Sequence, residues 1–210
     1  MKSAASPLLV VGIAGGTASG KSRLAAQLAG ELGAERCVIL SHDCYYRDHP
    51  TLTAAARRKI DFDCPAAFET SLLLKQVRSL RRGNEVAMPH YDFARYRRAR
   101  KTTLVPPASV VVIEGLFVLA DAKLRRVLDL KIFVHTPADL RLIRRIQRDT
   151  TERGYSVAEV ISRYASAARP GHERYVEPSR RHADLIWNQE SDLRFPARLR
   201  KRIERSLAQR

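Results

Sequence analysis

Gly15-Gly16-Thr17-Ala18-Ser19-Gly20-Lys21-Ser22 follows directly on the apolar run 8–13 and opens a helical pattern over Lys21–Leu32. A G-x-x-x-x-G-K-S spacing between a buried-type strand and a helix predicts a loop that binds phosphate, and all eight residues are candidate nucleotide ligands. The glycines let successive backbone N–H groups curl around a polyphosphate with no Cβ in the way. The helix that follows turns its partial positive end toward the same anion. Lys21 is placed to reach the β and γ oxygens of a nucleoside triphosphate, and the Ser22 hydroxyl to ligate Mg2+.

Outward from the loop, apolar strand-like runs lie at 37–40, 110–113, 128–134 and 183–187. Helical patterns lie between and after them at 67–82, 138–153, 157–168 and 195–208. Short unbroken apolar strands alternating with helices predict an α/β fold of the phosphate-loop NTPase type, three layers deep, around a parallel central sheet. Gly83-Asn84 closes one helix and Pro106-Pro107 precedes the next strand. Between these breaks, residues 85–105 predict an inserted β-hairpin with a basic stretch at its centre. No repeat or linker divides the chain, so one domain over 1–210 is expected, with a helical lid over about 138–170.

Composition bounds the function classes. The 210 residues are 45% hydrophobic, enough for one core, and no apolar run approaches a membrane span. Residues 1–7 lack the apolar segment of a signal peptide. Cys37, Cys44 and Cys64 are odd in number and show no C-x-x-C spacing, which fits reduced thiols in the cytoplasm. The six histidines are scattered without zinc-ligand spacing. The net charge of +16 fits either nucleic acid or an anionic substrate beside an arginine-rich surface, and by itself it does not choose.

Ligands of such sheets sit beyond the carboxyl ends of the strands. The second strand ends in Ser41-His42-Asp43 and the third in Ile113-Glu114-Gly115, so two carboxylates arrive beside the triphosphate. Glu114, closing an apolar run, is the expected metal residue with Ser22. Asp43 is a candidate to take the proton from an attacking hydroxyl and to share the metal. Phosphate cradle, metal and base are what phosphoryl transfer requires. Arg141, Arg144, Arg145 and Arg148 recur at intervals of three and four, on one broad face of a helix, and Arg153 precedes Gly154. Like charges at that spacing repel unless an anion meets them, and a triphosphate losing its terminal group is such an anion.

The chain resembles the uridine/cytidine kinase family of phosphate-loop kinases. The resemblance runs over about 8–186 and rests on several separated stretches in matching order. They are Gly15 to Ser22, Ser41-His42-Asp43-Cys44-Tyr45-Tyr46-Arg47, Phe62-Asp63-Cys64-Pro65-Ala66-Ala67-Phe68, Tyr91-Asp92-Phe93, Glu114-Gly115, Arg148-Asp149 to Glu152-Arg153-Gly154, and Ala183-Asp184. It implies an enzyme that moves the γ-phosphate of ATP or GTP, with Mg2+, to the 5′-hydroxyl of a pyrimidine ribonucleoside in pyrimidine salvage. It also implies a homo-oligomer, often a tetramer, in the cytoplasm, with no membrane or nucleic-acid partner.

By the same resemblance, Asp43 is the base, Tyr46 and Asp63 hold the sugar, and Tyr91 and Phe93 line the base pocket. Arg145, Arg148 and Arg153 close on the sugar hydroxyls and phosphates. Three positions depart from the family pattern. Tyr96 stands for a base-reading histidine, Tyr155 for an arginine, and Arg163 for a glutamine that binds the nucleoside. A lone Tyr96 oxygen open to a 4-amino group predicts a modest preference for cytidine over uridine. Two alternatives stay open at this stage. One is a kinase for another sugar alcohol, such as another nucleoside or a ribulose phosphate. The other is an RNA-associated nucleotide switch, against which Asp43 and Asp63 count.

Overall fold

The computed structural model describes residues 8–209, so the expectation for residues 1–7 lies outside the described residues. The strands are β1 (Leu9–Gly15), β2 (Cys37–Ser41), β3 (Val86–Asp92), β4 (Arg97–Val105), β5 (Val110–Glu114), β6 (Leu130–His135) and β7 (Leu185–Asn188). Five of them form a parallel sheet in the order β2–β5–β1–β6–β7, and β3 and β4 pair as a separate antiparallel hairpin. Every residue of β1 is buried, because helices cover both faces of the central strand.

One core layer joins Leu24, Leu28, Leu199 and Ile203 from the helices Lys21–Leu32 and Phe195–Ala208 to the sheet. The other joins Leu73 and Val77, from the helix Thr70–Arg81, with Tyr45, Phe68 and Phe117. Register fixes the site: Ser41 pairs with Glu114, and Glu114 with Ile13, so both strand ends stop level with the phosphate loop.

Several boundaries move for physical reasons. The helix expected from residue 67 starts at Thr70, since Pro65–Ala67 forms a 3-10 turn and Phe68 is extended, bridging to Tyr46. The strand expected from 128 starts at Leu130 and the one expected from 183 at Leu185. The helix expected over 157–168 is α-helical only to Arg163. Wider π turns follow at Tyr164–Ala168 and His172–Val176. Each closes one residue before a proline: Arg169 N–H donates to the Tyr164 carbonyl ahead of Pro170, and Glu177 N–H to the His172 carbonyl ahead of Pro178. A proline ring presses on the carbonyl four residues back, and one extra residue in the turn relieves that clash without ending the helix.

Candidate active site

The phosphate loop is held in shape from behind. Gly20 sits at φ +90°, and a Cβ there would lie 2.5 Å from the Gln189 amide nitrogen. A Cβ at Gly16 would lie 2.6 Å from the Arg141 guanidinium. Ala18 also adopts positive φ, so both glycine positions and this small residue follow from the tight curl. The Ser19 carbonyl accepts from the Thr136 hydroxyl at 3.0 Å, and the Thr136 carbonyl accepts from Arg141 Nε at 3.1 Å. Lys21 is buried, and its Nζ donates to the Gly16 carbonyl at 3.4 Å, inside the curl of the loop.

Beside the loop, buried Glu114 accepts from Ser22 Oγ at 3.0 Å and from Ser41 Oγ at 2.6 Å. Burial raises its pKa, while Lys21 and the two serine hydroxyls pull the other way. Among the described residues no cluster of histidine, cysteine, aspartate or glutamate could by itself hold a metal. Ser22 and Glu114 do present a paired hydroxyl and carboxylate at the mouth of the loop. That donor set suits a hard divalent cation that completes its shell with phosphate oxygens and water. Asp43 lies on the turn His42–Tyr45, and its Oδ1 is buried with no hydrogen-bond partner among the described residues. An acceptor atom held dry and unengaged suits a proton acceptor.

A cavity of about 610 Å3 runs from Lys21 and Asp43 to the hairpin and the lid. Its middle is walled by rings: Tyr46 lies 5.1 Å from Tyr91 and 5.4 Å from Phe62, and Tyr91 lies 5.4 Å from Phe93. These rings pack on one another and give that part of the cavity an apolar, aromatic wall. Asp63 lines the same cavity. Burial raises its pKa, and the nearby Arg145 lowers it.

The expected single arginine face divides three ways on the helix Ala138–Arg153. Arg141 turns inward behind the phosphate loop, and Arg144 reaches over to Gln189 at 2.6 Å and Glu190 at 2.8 Å. Arg145 and Arg148 line the cavity with Arg153. The anion that meets these last three is a residue of the same helix. Asp149, only 3% exposed at its side chain, lies 3.3 Å from Arg145 Nε, 2.8 Å from Arg148 and 3.5 Å from Arg153. The sequence reading gave Asp149 no role, although its spacing of four from both Arg145 and Arg153 was the available signal. Arg141, Thr136 and Gln189 were likewise missed as supports of the loop, and no local pattern marks them.

The departing positions meet one another. Tyr96 and Tyr155 hydroxyls are 2.9 Å apart, and Arg163 donates to the Tyr96 oxygen at 2.6 Å. The Arg163 guanidinium also lies over the Tyr155 ring, 4.8 Å from its centroid. All three line the cavity, and Phe62 stacks on Tyr96. The structure therefore gathers Lys21 and Asp43, with Ser22 and Glu114 paired beside them, at one end of the cavity, Tyr46, Asp63, Tyr91 and Phe93 between, and Tyr96 and Arg163 at the other. Arg145, Arg148 and Arg153 also line it, while Arg141 and Arg144 turn away.

Comparison with known proteins identifies the family. Residues 10–194 match the model of the phosphoribulokinase / uridine kinase family. A uridine kinase of Limosilactobacillus reuteri is 39% identical over 178 residues, covering 85% of this chain and 82% of its own. A uridine kinase of Lactococcus lactis is 40% identical, covering 85% and 86%. Among solved structures, a protein of Silicibacter provisionally named a fructose transport system kinase superposes with a TM-score of 0.73. It is 25% identical, over 87% of this chain and 90% of its own. With the extent of that match and the identity to these relatives, the chain belongs to the phosphoribulokinase / uridine kinase family.

Proposed function

We propose that this protein transfers the γ-phosphoryl group of ATP or GTP to the 5′-hydroxyl of a pyrimidine ribonucleoside, as a cytoplasmic enzyme of pyrimidine salvage. One observation carries the reading: a single cavity joins the phosphate loop, Asp43, whose Oδ1 has no partner among the described residues, and an aromatic wall beside Asp63. The donor phosphates lie in the loop with Lys21 on them. Asp63 and Tyr46 hold the ribose, which directs its 5′-hydroxyl at the γ-phosphorus. Asp43 takes the hydroxyl proton as the new O–P bond forms and the bond to the β-phosphate oxygen breaks. ADP or GDP then leaves with the departing electron pair. Ser22 and Glu114 would hold Mg2+, which supplies neutralisation of charge on the phosphate oxygens. Arg145, Arg148 and Arg153 meet the charge that spreads over the transferred group. The family habit of assembly extends the proposal to a homo-oligomer, which sedimentation of the purified protein tests.

The experiment that tests the reading is a panel of nucleosides and sugar alcohols, each with MgATP and MgGTP. Uridine or cytidine as the best acceptor is the expected outcome. A second reading, a different sugar alcohol as acceptor, draws on the likeness to the provisionally named fructose transport system kinase. Fructose and ribulose phosphate therefore belong in the panel, and turnover of either in place of both nucleosides replaces the proposal.

A further inference from the structure

We infer that Asp149 is a positioning residue that keeps the lid arginines as ligands of the transition state rather than of the resting donor. The inference rests on the kinase reading above, because it assigns the lid to the phosphates in transfer.

Three guanidiniums that cannot lose their charge converge on one buried carboxylate. Arg148 spends both Nε, at 2.9 Å, and a terminal nitrogen, at 2.8 Å, on Asp149 Oδ1. Arg145 pairs electrostatically with Oδ2 through Nε at 3.3 Å, without a hydrogen bond, and lines the cavity. Arg153 is held between Oδ1 and the face of Phe93, 4.5 Å from the ring centroid. The backbone of Asp149 adds a second hold, since its carbonyl accepts from Gly154 N–H and from Tyr155 N–H at 3.1 Å. One residue thus sets the direction of the arginines and the exit of the chain toward Tyr155.

Two effects of that carboxylate have opposite signs. Its charge lowers the positive potential of the cavity, which weakens binding of any polyanion in the ground state. Its hydrogen bond to Arg148 and its ion pairs to Arg145 and Arg153 fix the arginines where charge develops during transfer, which accelerates the step. An ion cluster that served folding alone would give no such opposition. Removing it would cost stability and weaken binding and turnover together.

Asp149→Asn separates the two. MgATP affinity by calorimetry is expected to tighten about threefold, since the cavity gains one positive charge. The turnover number is expected to fall about thirtyfold, since the arginines lose their common anchor. Asp149→Glu keeps the charge and displaces it by one methylene. Donor affinity within about twofold of wild type and a kcat loss of about tenfold are expected from that displacement. The glutamate variant also carries the test if the asparagine variant does not fold. An unchanged kcat in either variant overturns the inference, as does a kcat loss in Asp149→Asn matched by an equal loss of MgATP affinity. Failure of the nucleoside reading shows separately, as wild-type protein that binds MgATP and leaves uridine and cytidine untouched. The affinity arm then still reads Asp149, and kcat is taken with the acceptor that is turned over.

Discussion

The two ends of the cavity are made in different ways. At the phosphate end, contiguous residues do the work: Gly15 to Ser22 curl as one loop, and Glu114 and Asp43 arrive on strand ends whose register is fixed by the sheet. At the base end, Tyr96 comes from the hairpin, Tyr155 from the turn after the lid helix and Arg163 from the helix beyond, and they meet only through side chains. Tyr96 even holds positive φ, a conformation that costs a side chain of this size about 1–2 kcal/mol. A backbone-built end tolerates little change and holds the reaction class. A side-chain-built end can be rewritten residue by residue, and here selectivity is free to vary while the chemistry stays.

The largest losses are expected at the phosphate end. Lys21→Ala removes a charge from the transferring group, and kcat/KM should fall by at least about a hundredfold, as loss of a transition-state contact does. Wild-type efficiency in that variant would end the account of the loop. Asp43→Asn keeps the size and loses the proton acceptor. Turnover should drop about a hundredfold while nucleotide binding survives, a split that stopped-flow or calorimetric titration reads directly. Normal turnover there would make Asp43 structural. Glu114→Gln should act differently, raising the Mg2+ concentration needed for half-maximal rate.

Between the two ends lies the lid, and smaller losses are expected. Arg148→Ala or Arg153→Ala should lower kcat about tenfold, a barrier change of about 1.4 kcal/mol, with less effect on ATP affinity. Loss confined to affinity would make these arginines a ground-state clamp.

What was legible in the sequence follows the same division. The parallel sheet, the hairpin and the helix Ala138–Arg153 were readable because each rests on local apolar periodicity or on glycine and proline breaks. The loop, Glu114 and Asp43 were readable because a fixed spacing or a strand end marks them. The sorting of the lid arginines was not, since periodicity gives the angle of a side chain and not what waits there. Arg141 finds the back of the phosphate loop, and Arg144 finds Gln189 and Glu190 from the far edge of the sheet. The π turns escaped because no periodicity marks them; the added residue in each, just ahead of Pro170 and Pro178, lets the helix continue.

The smallest expected effect is the sharpest test of the base end. A preference for cytidine needs an open lone pair on Tyr96 to receive its 4-amino group. The structure shows that oxygen accepting from Arg163 and paired with the Tyr155 hydroxyl. Two hydroxyls share one hydrogen bond, so one of their two protons stays unengaged whichever way the pair points. Burial and the contact with Tyr96 raise the Tyr155 pKa to about 12, so the Tyr155 hydroxyl keeps its proton near neutral pH. A free O–H beside a permanent guanidinium complements a carbonyl oxygen and repels an amine. The expectation from sequence therefore reverses: kcat/KM for uridine should exceed that for cytidine, by about tenfold, the scale of one mismatched polar contact at a partly open site. Arg163→Gln removes the charge and should bring the two nucleosides within about threefold, the cytidine value rising. Tyr155→Phe removes one hydroxyl and lets Tyr96 keep its proton for the base, so the preference for uridine should persist. A wild-type preference for cytidine would mean that the Tyr96 cluster turns away from the 4-position when substrate binds, and equal use of both would remove the cluster from base reading altogether.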